Sequence, residues 1–351
     1  MIPHDLLWGV LFLHIRSTKR LAAYHVLGYA HTMTQTKNTS GNLTPYYLSL
    51  FIAQVMVGIN IVGAKFLVAQ FSIIFIITVR FVIAIIFLLI MHFFSSLNQS
   101  NQKMQRLRDL TKRDWLFITA QGLCAGVFFN LLLLFGLHYT NANAAGIISS
   151  VLPAIIVILS ILFLREHLTL FSSLCVGFAI AGLLVINATN FRQTNSHDLF
   201  GDFIVLLSLL PEAAYYVMAK IHVNKLPIFL MSALMHAVNL PILLLIGLGT
   251  AHFFPAQLPL KSISVLIAIG TASALFYVFW CTGCKRVSGA TAALFTAGMP
   301  IATLIIAWLF LHEAISALQF FGMLLVIASI VFNAMAKGKR EKPTEDEVQP
   351  L

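Results

Sequence analysis

A segment in the second half of this chain repeats, without a gap, a segment 147 residues earlier. Pro153, Phe163, Leu164 and Glu166 fall on Pro300, Phe310, Leu311 and Glu313. Gly136, Ala145 and Leu162 likewise fall on Gly283, Ala292 and Leu309. Each copy runs through a polar turn, small residues, a proline, an apolar run, an acid and a second apolar run. Such a unit cannot bury its apolar surface alone, so the copies must pack on each other or on lipid.

Composition points to lipid. Hydrophobic residues make up 59% of the 351 and charged ones 10%, with a mean hydropathy of +0.91. No soluble domain of this length hides that much apolar surface. The net charge of +10 does not suggest nucleic acid, because the basic residues form no soluble basic domain. Cys124, Cys175, Cys281 and Cys284 all lie in or beside apolar stretches, and the single C-x-x-C reads as small membrane-helix residues, not as a metal site. The sequence carries no cofactor motif and calls for no metal.

Ten apolar stretches of spanning length can be marked. They run about Tyr46–Phe66, Ser72–Phe94, Trp115–Leu137, Ala142–Leu164, Phe171–Ala188, Leu199–Ala219, Pro227–Gly249, Ser262–Cys284, Ser288–Leu311 and Ile315–Ala336. Period-two alternation is missing, so helices and no β-barrel are expected. With the N-terminus placed in the cytoplasm, 18 of the 22 Lys and Arg fall in inside segments. Only Arg192 and Lys261 fall outside, and Lys65 and Arg80 lie within spans. The positive-inside rule therefore puts both termini in the cytoplasm of a multi-pass inner-membrane protein. Five spans per copy make the second copy enter from the opposite side. The expected fold is an all-α integral membrane protein of ten transmembrane helices in two inverted five-helix repeats, residues 45–190 and 198–336. A charged cytoplasmic tail follows at 337–351. Residues 1–44 read as a cytoplasmic leader, with Met33 the expected start and a short interfacial helix the alternative. Inverted repeats are the ground plan of many secondary transporters, with the substrate site between the halves near the midplane.

Particular residues add a family resemblance. Asn143, Ala144, Ala145, Pro153, Phe163, Leu164, Glu166, Thr169 and Gly182 in the first copy resemble the EamA domain of the drug/metabolite transporter superfamily. So do Gly289, Ala290, Ala292, Pro300, Trp308, Phe310, Leu311, Glu313, Ser316, Gln319 and Gly322 in the second. Gly58, Asn60, Lys65 and the pair Arg80–Phe81 resemble the first two helices of that family, so the likeness covers about Tyr46 to Ala336. Cys175 and Ser329 stand where the internal match would place glycines, which leaves the fold untouched. The resemblance implies export of amino acids or other small metabolites, with import known among members.

Glu212 is the one acid near the middle of a span, just after Pro211. An acid there costs roughly 2.5–3.5 kcal/mol unless protonated or paired, so it marks a coupling or cation-binding group, or else a partner for an intramembrane base. Ser208, Tyr215 and Tyr216 share its face. Arg80 could bind a substrate carboxylate or anchor backbone carbonyls. Gln54, Gly58 and Lys65 form one stripe of the first span, with Lys65 snorkelling at its end. Asn60 reads first as an interhelical hydrogen bond. Gly122 and Gly126 mark close helix packing, with Asn130, Tyr277 and Trp280 as candidate cavity lining. His236 is a hydrogen-bonded histidine or a pH sensor. Pro153 and Pro300 are expected to bend their helices, and Glu166 and Glu313 to cap the helix that follows each.

A small-molecule carrier, with protons as candidate coupling ion, explains the duplicated plan best. The bilayer is the other partner, and a homodimer is a further option. The alternatives are a flippase for an amphiphilic or lipid-linked molecule and, further off, a membrane enzyme or sensor. An enzyme would need paired deep acids or H-E-x-x-H, and the sequence has neither.

Overall fold

The computed structural model describes residues 43–97, 110–140, 145, 148–166, 169–188, 199–221, 226–249, 253, 255 and 257–340. The expected leader with its start at Met33, and the tail beyond Arg340, lie outside these residues. All regular elements among the described residues are helical. The first repeat holds α1 (Thr44–Val68), α2 (Ile73–Leu97), α3 (Lys112–Leu123), α4 (Phe129–Tyr139), α5 (Leu152–Leu164) and α6 (Leu170–Ala188). The second holds α7 (Leu199–Ile221), α8 (Ile228–Ala237), α9 (Leu240–Leu248), α10 (Leu260–Gly283), α11 (Gly289–Thr296), α12 (Gly298–Leu311) and α13 (Ala317–Arg340). A π-helical turn, Cys124–Phe128, joins α3 to α4.

Among the described residues nine segments are long and apolar enough to cross a membrane, with α3–α4, α8–α9 and α11–α12 each counted as one. Where the sequence predicts a fourth full-length span, Ala142–Leu164, the described helix covers only Leu152–Leu164. The protein is a multi-pass membrane protein whose surface fits that solvent. Large apolar side chains such as Phe93, Leu162, Phe163, Leu245 and Phe310 point outward, while Gln54, Gln121, Ser208 and Asn239 are fully buried.

Helix pairing follows the repeat. α1 packs on α10 and α12, and its counterpart α7 packs on α4 and α5. α2 lies on α8 and α6 on α13, each a contact between equivalent helices, and α5 lies on α11, in the span equivalent to its own. These are the pairings of a pseudo-two-fold relation between inverted halves. At the α6–α13 seam a side chain on Gly182 would come within 2.9 Å of the Gly322 carbonyl, and one on Gly322 within 2.7 Å of the Gly182 carbonyl. Only glycine permits that approach. Every residue of α11 is buried, and it touches α1, α5, α6, α7 and α13. Its run of Gly, Ala and Thr is what lets one short helix sit among five neighbours.

The expected mid-span bends take another form. Val151 and Ala297 are non-helical joints, and Pro153 and Pro300 sit in the first turns of α5 and α12. A proline in the first turn costs little because its missing N–H would be unpaired there. The carbonyls of Ser149 and Thr296, four residues earlier, lose their helical donor.

Candidate functional site

Two short stretches terminate alike. Arg165 and His312, 147 positions apart, are the non-glycine residues with positive φ among those described, at 53° and 55°. Each stands directly after a helix and directly before an acid. The left-handed residue ends α5 or α12 and swings the next side chain off the helix axis. Glu166 and Glu313 thereby reach across to the opposite repeat. Glu166 Oε1 accepts from Lys220 Nζ in the last turn of α7, and its Oε2 accepts from the Gly289 N–H at 2.6 Å. Glu313 Oε1 accepts from Lys65 Nζ, in the last turn of α1, at 2.6 Å.

This corrects the expectation that each acid caps the helix after it. Those helices are capped by Thr169 Oγ1, which accepts from the Ser172 N–H, and by Ser316 Oγ, which accepts from the Gln319 N–H. Glu166 does cap a helix, but it is α11 of the other repeat, where the orphan N–H groups and the dipole favour an anion. Gly289 is required there, since a Cβ would lie 2.3 Å from Ser160 Oγ and 2.9 Å from Glu166 Oε2. Lys65 is no free snorkelling charge; it is paired. The two ties differ in exposure: 13% and 22% for Lys220 and Glu166, against 60% and 46% for Lys65 and Glu313.

Between the ties lies an aromatic core. The Phe81 and His236 rings stand 4.8 Å apart, His236 and Tyr277 4.7 Å, and Tyr215 and Tyr277 5.4 Å. Tyr216 continues the chain to Trp280 at 4.6 Å. The Tyr215 hydroxyl and the Trp280 Nε1 are buried without a hydrogen-bond partner, and the His236 ring lies near the Ser273 carbonyl without closing a full hydrogen bond. Arg80 stands with its guanidinium 5.2 Å from the Phe81 ring centre. Its Nε has no partner. Glu212, half-buried in the middle of α7, forms no ion pair with Arg80 or Lys65. The structural pairing weighed from sequence is therefore not formed.

Other candidates spend their polarity on the fold. Ser273 Oγ donates to Asn60 Oδ1 at 2.8 Å, joining α10 to α1. Asn130 donates its amide N–H to the Gly126 carbonyl at 2.6 Å. Gln54 is fully buried beside Gly298, with both amide atoms unpartnered. No cluster of three His, Cys, Asp or Glu able to hold a metal occurs among the described residues.

The sequence does not announce the role of Asn239. Its Oδ1 accepts from the Val127 N–H at 3.0 Å, and its Nδ2 donates to the carbonyls of Gly122 and Met235 at 3.0 and 2.8 Å. The side chain fills the slot over Gly126, where a Cβ would lie 2.2 Å from Asn239 Oδ1. It thus satisfies the backbone groups that the π-helical turn exposes. The Gly122–Gly126 stripe was the visible half of this contact.

Comparison with known proteins agrees with the architecture. Residues 44–188 and 199–335 each match the EamA-like transporter family. The uncharacterized transporter YetK of Bacillus subtilis is 26% identical over 298 residues, covering 83% of this chain and 87% of that protein. An uncharacterized transporter of Archaeoglobus fulgidus is 24% identical over 235 residues, covering 65% of this chain and 79% of its own length. A solved crystal structure superposes with a TM-score of 0.66 at 15% identity, over 86% of this chain and 99% of that one, a likeness of fold.

Proposed function

This chain belongs to the EamA-like transporter family, and on that premise we propose that it is a secondary carrier. It would move a small metabolite of amino-acid type across the cytoplasmic membrane, with export the favoured direction. The observation that carries the reading is the repeat-related pair of ties, Lys220–Glu166 and Lys65–Glu313, each joining one repeat to the other. Rocking one repeat against the other can open one tie while keeping its equivalent, as alternating access requires. On the topology implied by the basic residues, the more enclosed tie lies on the cytoplasmic side. Glu212 is assigned the coupling role: it is the deep acid with no paired base, beside Tyr215 and Tyr216 on its own helix. Arg80 is assigned the substrate carboxylate, and the aromatic core its apolar part. No enzymatic step is proposed, since the family and the relatives named above are transporters.

Glu212→Gln keeps shape and hydrogen bonding but cannot exchange a proton. In proteoliposomes offered amino acids under a pH gradient, the variant should fold, keep exchange and lose gradient-driven uptake. Wild-type gradient-driven transport in that variant would remove Glu212 from coupling. Cysteines at Gln193 and Lys339 in a cysteine-free background should label from opposite faces with an impermeant reagent. Labelling of both from one face would sink the topology.

A further inference from the structure

The two proline joints enclose a cleft between α5, α6 and the α11–α12 junction. It is lined by Ser149, Leu152 and Pro153 and by their equivalents Thr296, Met299 and Pro300, all 147 positions on. Ser150, Leu183 and Asn187 complete it. No acidic or basic side chain lines this cleft. Two of its side chains have spent their donors and keep acceptors. Asn187 spends its amide N–H groups on Ser150 Oγ at 3.1 Å and the Leu183 carbonyl at 2.9 Å, leaving Oδ1 as acceptor. Thr296 spends its hydroxyl hydrogen on the Ala293 carbonyl at 2.6 Å, leaving oxygen lone pairs. Pro153 and Pro300 supply no N–H to the carbonyls of Ser149 and Thr296.

We propose that this cleft binds a monovalent cationic centre, either sodium or the protonated amine of a carried molecule. Lone pairs on Asn187 Oδ1 and Thr296 Oγ1, whose donors are already spent, suit a cation. The lack of carboxylates argues against calcium or magnesium, which bind through them. Carbonyls freed at a broken membrane helix are a known way to coordinate such ions. The inference extends the carrier reading, but it stands or falls on binding alone.

The test uses the purified full chain in detergent, followed by thermal unfolding in chloride salts of sodium, potassium, methylammonium and N-methylglucamine at equal ionic strength. Sodium or methylammonium should raise the midpoint saturably over N-methylglucamine. A response to sodium without methylammonium identifies a bound ion, and a response to methylammonium identifies an amine head. Thr296→Val and Asn187→Leu should each weaken the response at least tenfold in half-saturating concentration. Pro300→Ala returns an N–H toward the Thr296 carbonyl and should weaken it without loss of folding. Identical midpoints in all four salts would overturn the site. So would a response that survives these variants and vanishes in Glu212→Gln. Binding with no transport of any amino acid would instead fault the carrier reading and leave the site standing.

Discussion

The two ends of the bundle are built from equivalent residues and differ in how tightly they are held. At one end Glu166 ties Lys220 and the first N–H of α11, with Lys220 13% and Glu166 22% exposed. At the other Glu313 ties Lys65, the side chains 60% and 46% exposed. The same two charges enclosed by protein leave a stranded ion if one is removed, whereas in the open they are screened and held by little. Duplication therefore supplied one motif twice, and enclosure made one copy a strong tie and the other a weak one. A carrier that must release either end can work from such an imbalance, because one face is then favoured at rest.

The comparison breaks most directly at Glu166. Glu166→Gln leaves Lys220 without its carboxylate and should cost about 3 kcal/mol of unfolding free energy in detergent, toward the lower side for a partly enclosed pair. The double variant Glu166→Gln, Lys220→Met should recover most of it. Equal losses for Glu166→Gln and Glu313→Gln would show that the ends are held alike.

The repeats also differ at their third spans, and this sharpens the contrast. Asn239 makes two hydrogen bonds to the π-helical turn and its flank in the first repeat, and a third to Met235 one turn before it. The corresponding α10 is an unbroken helix joined to α1 by one, Ser273 to Asn60. Asn239→Leu should cost roughly 1–3 kcal/mol, and Ser273→Ala about 1 kcal/mol. Equal values from parallel unfolding curves would deny the clip its place.

Glu313→Gln should have the smallest effect, below about 1 kcal/mol and shrinking as salt rises from low to high ionic strength. A salt-independent loss would mean that this end is enclosed in the membrane.

Much of the fold was legible because it depends on local composition. The limits of α1, α6, α7 and α10 fall within about two residues of the apolar stretches read from the chain. The 147-residue match made α6 and α13 equivalent, and the structure packs them on each other. The breaks at Val151 and Ala297 were signalled by the prolines that follow, though as bends rather than restarted helices.

The site was legible only in part. The sequence marked Glu212, Arg80 and the aromatic residues as unusual, because a charge or hydroxyl deep in a span stands out against its surroundings. It misassigned Glu166 and Glu313, because the hydroxyls three residues on, Thr169 and Ser316, cap the following helices instead. The role of Asn239 was not legible because its partners, Gly122 and Val127, lie more than a hundred positions away.

Apolar length, basic-residue placement and the internal repeat are properties of single segments, and they sufficed for helices, membrane and inverted halves. Which carboxylate meets which amine, and which end is enclosed, depends on how two halves pack at distances of ångströms. Arg165 and His312 adopt left-handed conformations that nothing in their side chains announces. Packing imposes them, and with them the direction of both acids.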